Sequence, residues 1–226
     1  MNWEDESFLL SKRKFRENAN IINIFTLNRG KISGIVYGGN SRKIRNYLQI
    51  SNKLFIFYTS KNDLKVGYLK AELIKAISPL YFNDRERTSA LISLSSLLNV
   101  LLPDSQPHKA IYKSYEKLIN SLNLDNWIIL YILFEINLIK ELGYDTDLTT
   151  FQETSGKLND FKKINIDGYK YDVPSFLISQ KIPDKLSKEV VKKSLIFTRN
   201  IFLNKFFLPN NLIFPKSRII LEKYFN

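Results

Sequence analysis

The 226-residue sequence predicts an α+β protein, with a five-stranded barrel at the N-terminus followed by an all-helical domain. Three observations predict it. From Ser7 to about Ile77, apolar and polar residues alternate in short runs enriched in β-branched and aromatic side chains. Beyond Pro79 the apolar residues recur at a helical period instead of every second position. The chain is 44% hydrophobic and 13% aromatic, which is the composition of a chain with a core to bury.

The strand pattern covers Phe8 to Phe15, Ala19 to Leu27, Lys31 to Tyr37, Leu54 to Thr59 and Lys65 to Ile74. Asn28-Arg29-Gly30 and Asn62-Asp63 supply turn chemistry between runs, and Ser41 to Leu48 fits a helical turn between the third and fourth strands. That order suits an OB-fold, although an SH3-like barrel has the same alternation and stays open as an alternative. The expected domains are 1–78, nucleic-acid-binding, and 79–226, helical. Asn83-Asp84 caps the first long helix, whose Leu91, Leu94, Leu98 and Leu101 fall at helical spacing before Pro103-Asp104 stops it. A second helix follows from Pro107 to Leu122. The third, from Asp125 to Leu142, is apolar almost all round and ends at Gly143, so it belongs at the centre of a bundle. Residues 144–183 are rich in turn formers and predict irregular structure or a short hairpin. A basic helix runs from Asp184 to about Leu203, and a last short one follows Pro215.

Charge narrows the function. The net charge is +12, and it is concentrated at the two ends: residues 1–78 carry 14 Lys and Arg against 6 Asp and Glu, residues 79–150 carry 6 against 9, and residues 151–226 carry 14 against 7. Such ends attract polyanions. The absence of cysteine excludes disulfides, thiolate chemistry and cysteine-held zinc. Trp127 to Phe134 is the longest apolar run and is far too short to span a bilayer, and Met-Asn-Trp-Glu-Asp-Glu lacks the order of a secretory signal. A cytoplasmic, nucleoid-associated protein with no membrane partner is expected. His108 is the only histidine, no phosphate-binding glycine motif occurs, and no serine has a histidine base in a sensible context. Asp84/Glu86 and Asp145/Asp147 read as caps and solvated charges. No catalytic residue, metal site or cofactor is therefore expected, and the chain reads as no enzyme.

The richest segment joins Arg29, Lys31 and the Ile32–Tyr37 alternation to Gly38-Gly39 and then to Arg42, Lys43 and Arg45. Lys12, Arg13, Lys14 and Arg16 form a second cluster at the end of the first strand. Tyr37, Phe57, Tyr58 and Tyr68 are interleaved with these cations, and about half of such aromatics belong to the core. Cations for phosphates beside flat rings for bases suit sequence-tolerant binding of a single strand. An RNA-binding module remains the alternative, since stacking by itself does not read the sugar.

Several motifs then occur in order: Trp3 before the first strand, Gly30-Lys31, Gly38 to Arg42, Phe134-Glu135, Leu142-Gly143-Tyr144 with Asp147-Leu148, Phe197-Thr198-Arg199, and Lys216-Ser217-Arg218. Together they make the chain resemble the RecO family of bacterial recombination mediators over nearly its whole length. The resemblance implies an OB-fold, a helical domain, and ATP-independent binding of single- and double-stranded DNA with annealing of complementary strands. It also implies RecR and the acidic C-terminal tail of single-strand-binding protein as partners, and RecA as the protein loaded in consequence. It maps DNA contacts onto Arg29, Lys31, Arg42, Lys43, Arg45, Arg199, Lys216 and Arg218. Many relatives carry a four-cysteine zinc cluster after Leu-Gly-Tyr, so a cysteine-free, degenerate zinc-finger-like insertion is expected at 144–183, held by Phe151, Tyr169, Tyr171 and Phe176. Ile132 and Leu133 stand where some relatives place an arginine, which leaves Arg85, Arg87 and Lys140 as the candidate partner-binding cations.

Overall fold

The alternation of the first third forms five strands, β1 (Asn2–Arg16), β2 (Ala19–Thr26), β3 (Gly30–Tyr37), β4 (Lys53–Thr59) and β5 (Gly67–Lys75), with helix α1 (Arg42–Tyr47) between β3 and β4. The structure is a computed structural model describing residues 1–38, 41–60, 66–144, 148–151, 160–179, 181–183 and 185–225, and only the backbone of Arg42, Lys43 and Thr149. The strands close into a barrel in the order β1-β2-β3-β5-β4. All neighbours are antiparallel except β3 and β5, which pair in parallel and register Gly34 with Gly67 and Ile35 with Tyr68. That seam, with α1 inserted before β4, is the OB-fold order, and an antiparallel SH3-like meander lacks it. The seam needs its glycines: a Cβ on Gly34 would run into the Leu69 side chain, and one on Gly67 into the Tyr58 ring.

Inside the barrel, Leu9, Ile22, Ile24, Val36, Leu48, Leu54, Ile56, Leu69 and Ala71 form one buried cluster. β1 begins at Asn2 rather than near Phe8, because its first half pairs with β4 from Asn2–Thr59 to Phe8–Lys53. Trp3 thus lies within the strand and not before it. The acidic run hid this. Asp5 is turned inward and buried, and its carboxylate accepts the backbone N–H of Asn28 at 2.8 Å and the Asn28 amide at 3.0 Å.

Two compact units make up the chain: residues 1–113 with 215–218, and residues 114–214 with 219–226. In the first, α2 (Arg85–Leu101) is capped by Asp84, whose side chain accepts the Arg87 N–H, as the Asn-Asp signal predicts. α2 packs against β1, and its Asn99 is tied to Asn23 of β2 and Lys31 of β3. Asn23 donates to Asn99 at 2.7 Å, Ser33 donates to Asn23 at 2.8 Å, and Ser51 and Ser95 share a 2.9 Å hydrogen bond. The start of α3 (Lys109–Asn120) adds Tyr112, which packs on Phe8 and Phe25 with ring centroids 5.2 and 5.4 Å apart.

The second unit holds α4 (Trp127–Glu141), the hairpin β6 (Phe161–Ile166) and β7 (Tyr169–Pro174), α5 (Ser175–Ser179), α6 (Lys188–Phe202) with a π-helical extension through Phe207, and α7 (Lys216–Lys223), most of which lies in it. α4 is buried nearly all round, Glu135 included, and that carboxylate accepts the Thr198 hydroxyl of α6 at 2.6 Å. The described part of 144–183 holds a 3-10 helical turn at Leu148–Phe151, with Phe151 partly buried, and a hairpin leading into α5, and a zinc-finger-like character is not shown by it. Tyr171 and Phe176 are buried there as expected, whereas Tyr169 is half exposed. A polar clamp takes its place. Asp167, in the β6–β7 turn, accepts from the Tyr144 hydroxyl at 2.7 Å and from the Lys205 ammonium at 2.6 Å, and that ammonium stands 4.6 Å from the Tyr144 ring centroid.

Candidate nucleic-acid interface

β3 and β5 pair over two residues and then part, because the chain leaves β3 for α1 while β5 continues beside β4. The gap is a groove of about 660 Å³. Its floor is Val36, Leu69 and Ala71, α1 contributes Ile44 and Tyr47, and Tyr37 and Tyr68 stand at its lip. The two lip rings stack on each other, with centroids 5.5 Å apart and planes 25° from parallel, yet remain 53% and 48% exposed. Stacked rings that keep this much exposure are unusual for a core pair and are available to a further flat group. Burial, aided by Glu72 and opposed by Lys70, raises the Tyr47 hydroxyl above its ordinary pKa, and Lys70 and Glu72 themselves also line the groove.

Strand register extends the lip across the sheet. Arg13 pairs with Ile21, Ile21 with Ile35, and Ile35 with Tyr68, so one outward-facing row leads from a cation over two aliphatic side chains to an aromatic ring. α1 brings a second cation to β1. Ser41 caps that helix by accepting the Ile44 N–H, and Lys12 donates to the carbonyl of Leu48, just past the end of α1, at 2.8 Å. Burial lowers the Lys12 pKa and the nearby Arg45 guanidinium lowers it further, as expected of cations gathered at one place. Lys14 is exposed, and the exposed Arg16 lays its guanidinium 5.2 Å from the Phe15 centroid. Arg42 and Lys43 are placed by the first turn of α1, and their side chains, like Gly39 and Asn40, lie outside the described residues.

Two sequence-predicted cations are placed elsewhere. Lys31 is committed to structure: only 12% exposed, its ammonium donates to the Asn99 carbonyl at 2.8 Å and pairs with Asp104 at 3.2 Å. Arg29 precedes β3 and lies over the Trp3 ring, 5.5 Å from its centroid, whereas Tyr37 ends that strand.

Two family models match the chain: Recombination protein O N terminal over residues 1–77 and Recombination protein O C terminal over residues 83–166. The chain belongs to the RecO family. It is 32% identical over 157 residues to the DNA repair protein RecO of Cereibacter sphaeroides (strain ATCC 17029 / ATH 2.4.9), covering 70% of this chain and 65% of that one. It is 30% identical over 161 residues to the DNA repair protein RecO of Wolbachia sp. subsp. Drosophila simulans (strain wRi), covering 70% and 66%. The RecO-family chain thus spans just under two thirds of the length of the curated relatives it matches.

The remaining motif residues of this RecO-family chain fall mostly into structure. Arg199 pairs with Glu222 at 2.8 Å, Arg218 is completely buried, and Lys216 is exposed. Phe134 and Phe197 are buried beside the Glu135–Thr198 hydrogen bond, which makes their motifs the packing of α4 on α6. Of the candidate partner-binding cations, Arg85 and Lys140 are exposed, and Arg87 pairs with Asp84 at 2.6 Å. Burial raises the Asp84 pKa, but the Arg87 N–H and guanidinium outweigh it and hold the carboxyl below its ordinary value. Asp84 is thus a helix cap, while Asp145 and Asp147 lie outside the described residues. Among the described residues no helix is long and apolar enough to cross a membrane. Sequence reasoning noted Tyr68 but left it out of the site, and it missed Tyr47 altogether. Alternation places Tyr68 on its strand and the helical turn expected at Ser41 to Leu48 holds Tyr47, but nothing local to them reports that β3 and β5 meet.

Proposed function

We propose that this chain is a DNA repair and recombination mediator, with residues 1–78 as its DNA-binding domain and 79–226 as a helical domain. A single strand lies over the Tyr37–Tyr68 pair, its bases against the rings and its phosphates on Lys12, Arg13, Lys14, Arg16 and the α1 cations Arg42, Lys43 and Arg45. One observation carries this reading: a stacked and half-exposed tyrosine pair stands where the barrel seam opens, on a row that ends in a cation. Rings hold bases unstacked and available for pairing, while cations lower the repulsion between two phosphate chains. Annealing then needs no bond made or broken by the protein and no nucleotide cofactor. Single- and double-stranded DNA share the phosphate term, and single strands add stacking. Family membership supports RecR, the tail of single-strand-binding protein and, indirectly, RecA as partners at the nucleoid, with Arg85 and Lys140 the exposed candidates for an acidic tail.

The test is annealing of complementary oligonucleotides, bare and coated with single-strand-binding protein. The double variant Tyr37→Ala/Tyr68→Ala is expected to lose roughly tenfold or more in single-strand affinity, from about 1–3 kcal/mol per stacked base, and to anneal slowly while its unfolding midpoint stays near that of the parent. Unchanged annealing overturns the reading, and equal competition by a matched RNA strand replaces DNA with RNA as its ligand.

A further inference from the structure

A second aromatic cluster lies just across the barrel rim from the first. Trp3 of β1 and Tyr58 of β4 stack with centroids 4.7 Å apart and planes 14° from parallel, and the Arg29 guanidinium lies over Trp3. They line a cavity of about 390 Å³ together with Ile32, Ser60 and Ser105. That volume falls in the range of small-ligand pockets and suits one nucleotide.

Two features distinguish this mouth from a mere plug for the core. The first is the root of Arg29, which is held more firmly than an exposed arginine needs. The Thr26 hydroxyl accepts the Arg29 N–H at 3.0 Å and donates to the Gly30 carbonyl at 3.1 Å, while the buried Asp5 carboxylate holds the neighbouring Asn28. A cation positioned in advance binds an anion at lower ordering cost. The second is continuity with the groove. Tyr58 packs where a Gly67 side chain would stand, and the next residue is Tyr68 of the exposed pair. Thr59 of β4 pairs with Tyr68 of β5 and Tyr58 with Leu69, so Tyr58 of the second cluster and Tyr68 of the first sit at adjacent register positions of the β4–β5 pair.

We propose that the barrel mouth is a nucleotide pocket, in which one unstacked base of a DNA single strand crossing the rim from the groove packs against Trp3 and Tyr58 while its phosphate meets Arg29. The proposal rests on the reading of the groove as a single-strand site. Its experiment uses the full chain carrying Trp127→Phe, which leaves Trp3 as the sole tryptophan. The probe is an end-labelled thymidylate oligomer of roughly 12 nucleotides, a length within the site sizes of single-strand barrels. Label anisotropy reports binding anywhere, and Trp3 emission reports the mouth. The expected result is Trp3 quenching that follows the anisotropy curve, with Arg29→Ala weakening binding about five- to tenfold and reducing the quench. Saturable anisotropy with flat Trp3 emission overturns the pocket and leaves the groove standing, and the emission arm holds whether or not the arginine variant folds. An anisotropy signal that stays flat even at low salt overturns the groove and the pocket together.

Discussion

Lys31 and Arg45 look alike in the sequence, each a cation beside the strand that ends in Tyr37, but their surroundings separate them. Lys31 reaches a carbonyl of α2 and the carboxylate of Asp104, so removing its ammonium leaves a partly buried acceptor unpaired. Lys31→Ala is expected to cost about 1–2 kcal/mol of stability, read from the urea midpoint, and to leave DNA affinity within about twofold. Arg45→Ala should do the opposite. It removes a solvent-facing charge near Lys12, so stability holds, while affinity falls and the Lys12 ammonium, relieved of its neighbour, titrates closer to the ordinary lysine value. A matched fall in affinity for both variants would show that the placement of Lys31 is not what decides its role. Gly67 makes a third case. Gly67→Ala forces its new methyl against the Tyr58 ring and is expected to destabilise the barrel by roughly 1–3 kcal/mol on urea unfolding, the usual range for overpacking.

At the level of elements, the hairpin β6–β7 is fastened to the rest of its unit by the carboxylate of Asp167, which faces the Tyr144 hydroxyl and the Lys205 ammonium. The hydrogen bond from Lys205, then that from Tyr144, depresses the Asp167 pKa, and the same contact raises that of Lys205. A depressed carboxyl contributes stability above its unfolded pKa of about 3.9 and loses it as pH falls through the lower folded value. A raised lysine contributes below its unfolded pKa of about 10.4 and loses its part as pH rises through the higher folded value. Hydrogen exchange at the hairpin amides is therefore expected to be flat in protection between those limits and to lose protection below about pH 4. Asp167→Asn should show the low protection at every pH, and equal protection in variant and parent would remove the clamp from the account. This fastening was not legible in the sequence, because Tyr144, Asp167 and Lys205 are far apart along the chain and each looks like a solvated polar residue. The strands and helices were legible, since period, Asp84 as a cap and Pro79 as a boundary act within a few residues. The β3–β5 seam was not, since a parallel pair between strands separated by α1 and β4 leaves no local mark beyond two glycines.

For the molecule as a whole, the question is how much of the +12 charge meets DNA. Arg199 in its ion pair, the buried Arg218 and the tethered Lys31 are three cations the sequence offered to DNA that the structure uses internally. On the proposed reading of the groove, the phosphate contacts outside the barrel mouth then fall to the β1 end and α1. If about six cations act there on a single strand, the logarithm of affinity falls with the logarithm of salt at a slope of roughly −4, a loss of a few hundredfold between 50 and 200 mM. Replacing Arg13, Lys14, Arg16 and Arg45 together by alanine should bring the slope to about −1, because each cation contributes roughly 0.7. Lys216→Ala should leave it near −4. A slope that survives the quadruple change would put the DNA contacts on the basic C-terminal third, and the tyrosine pair would then need another purpose.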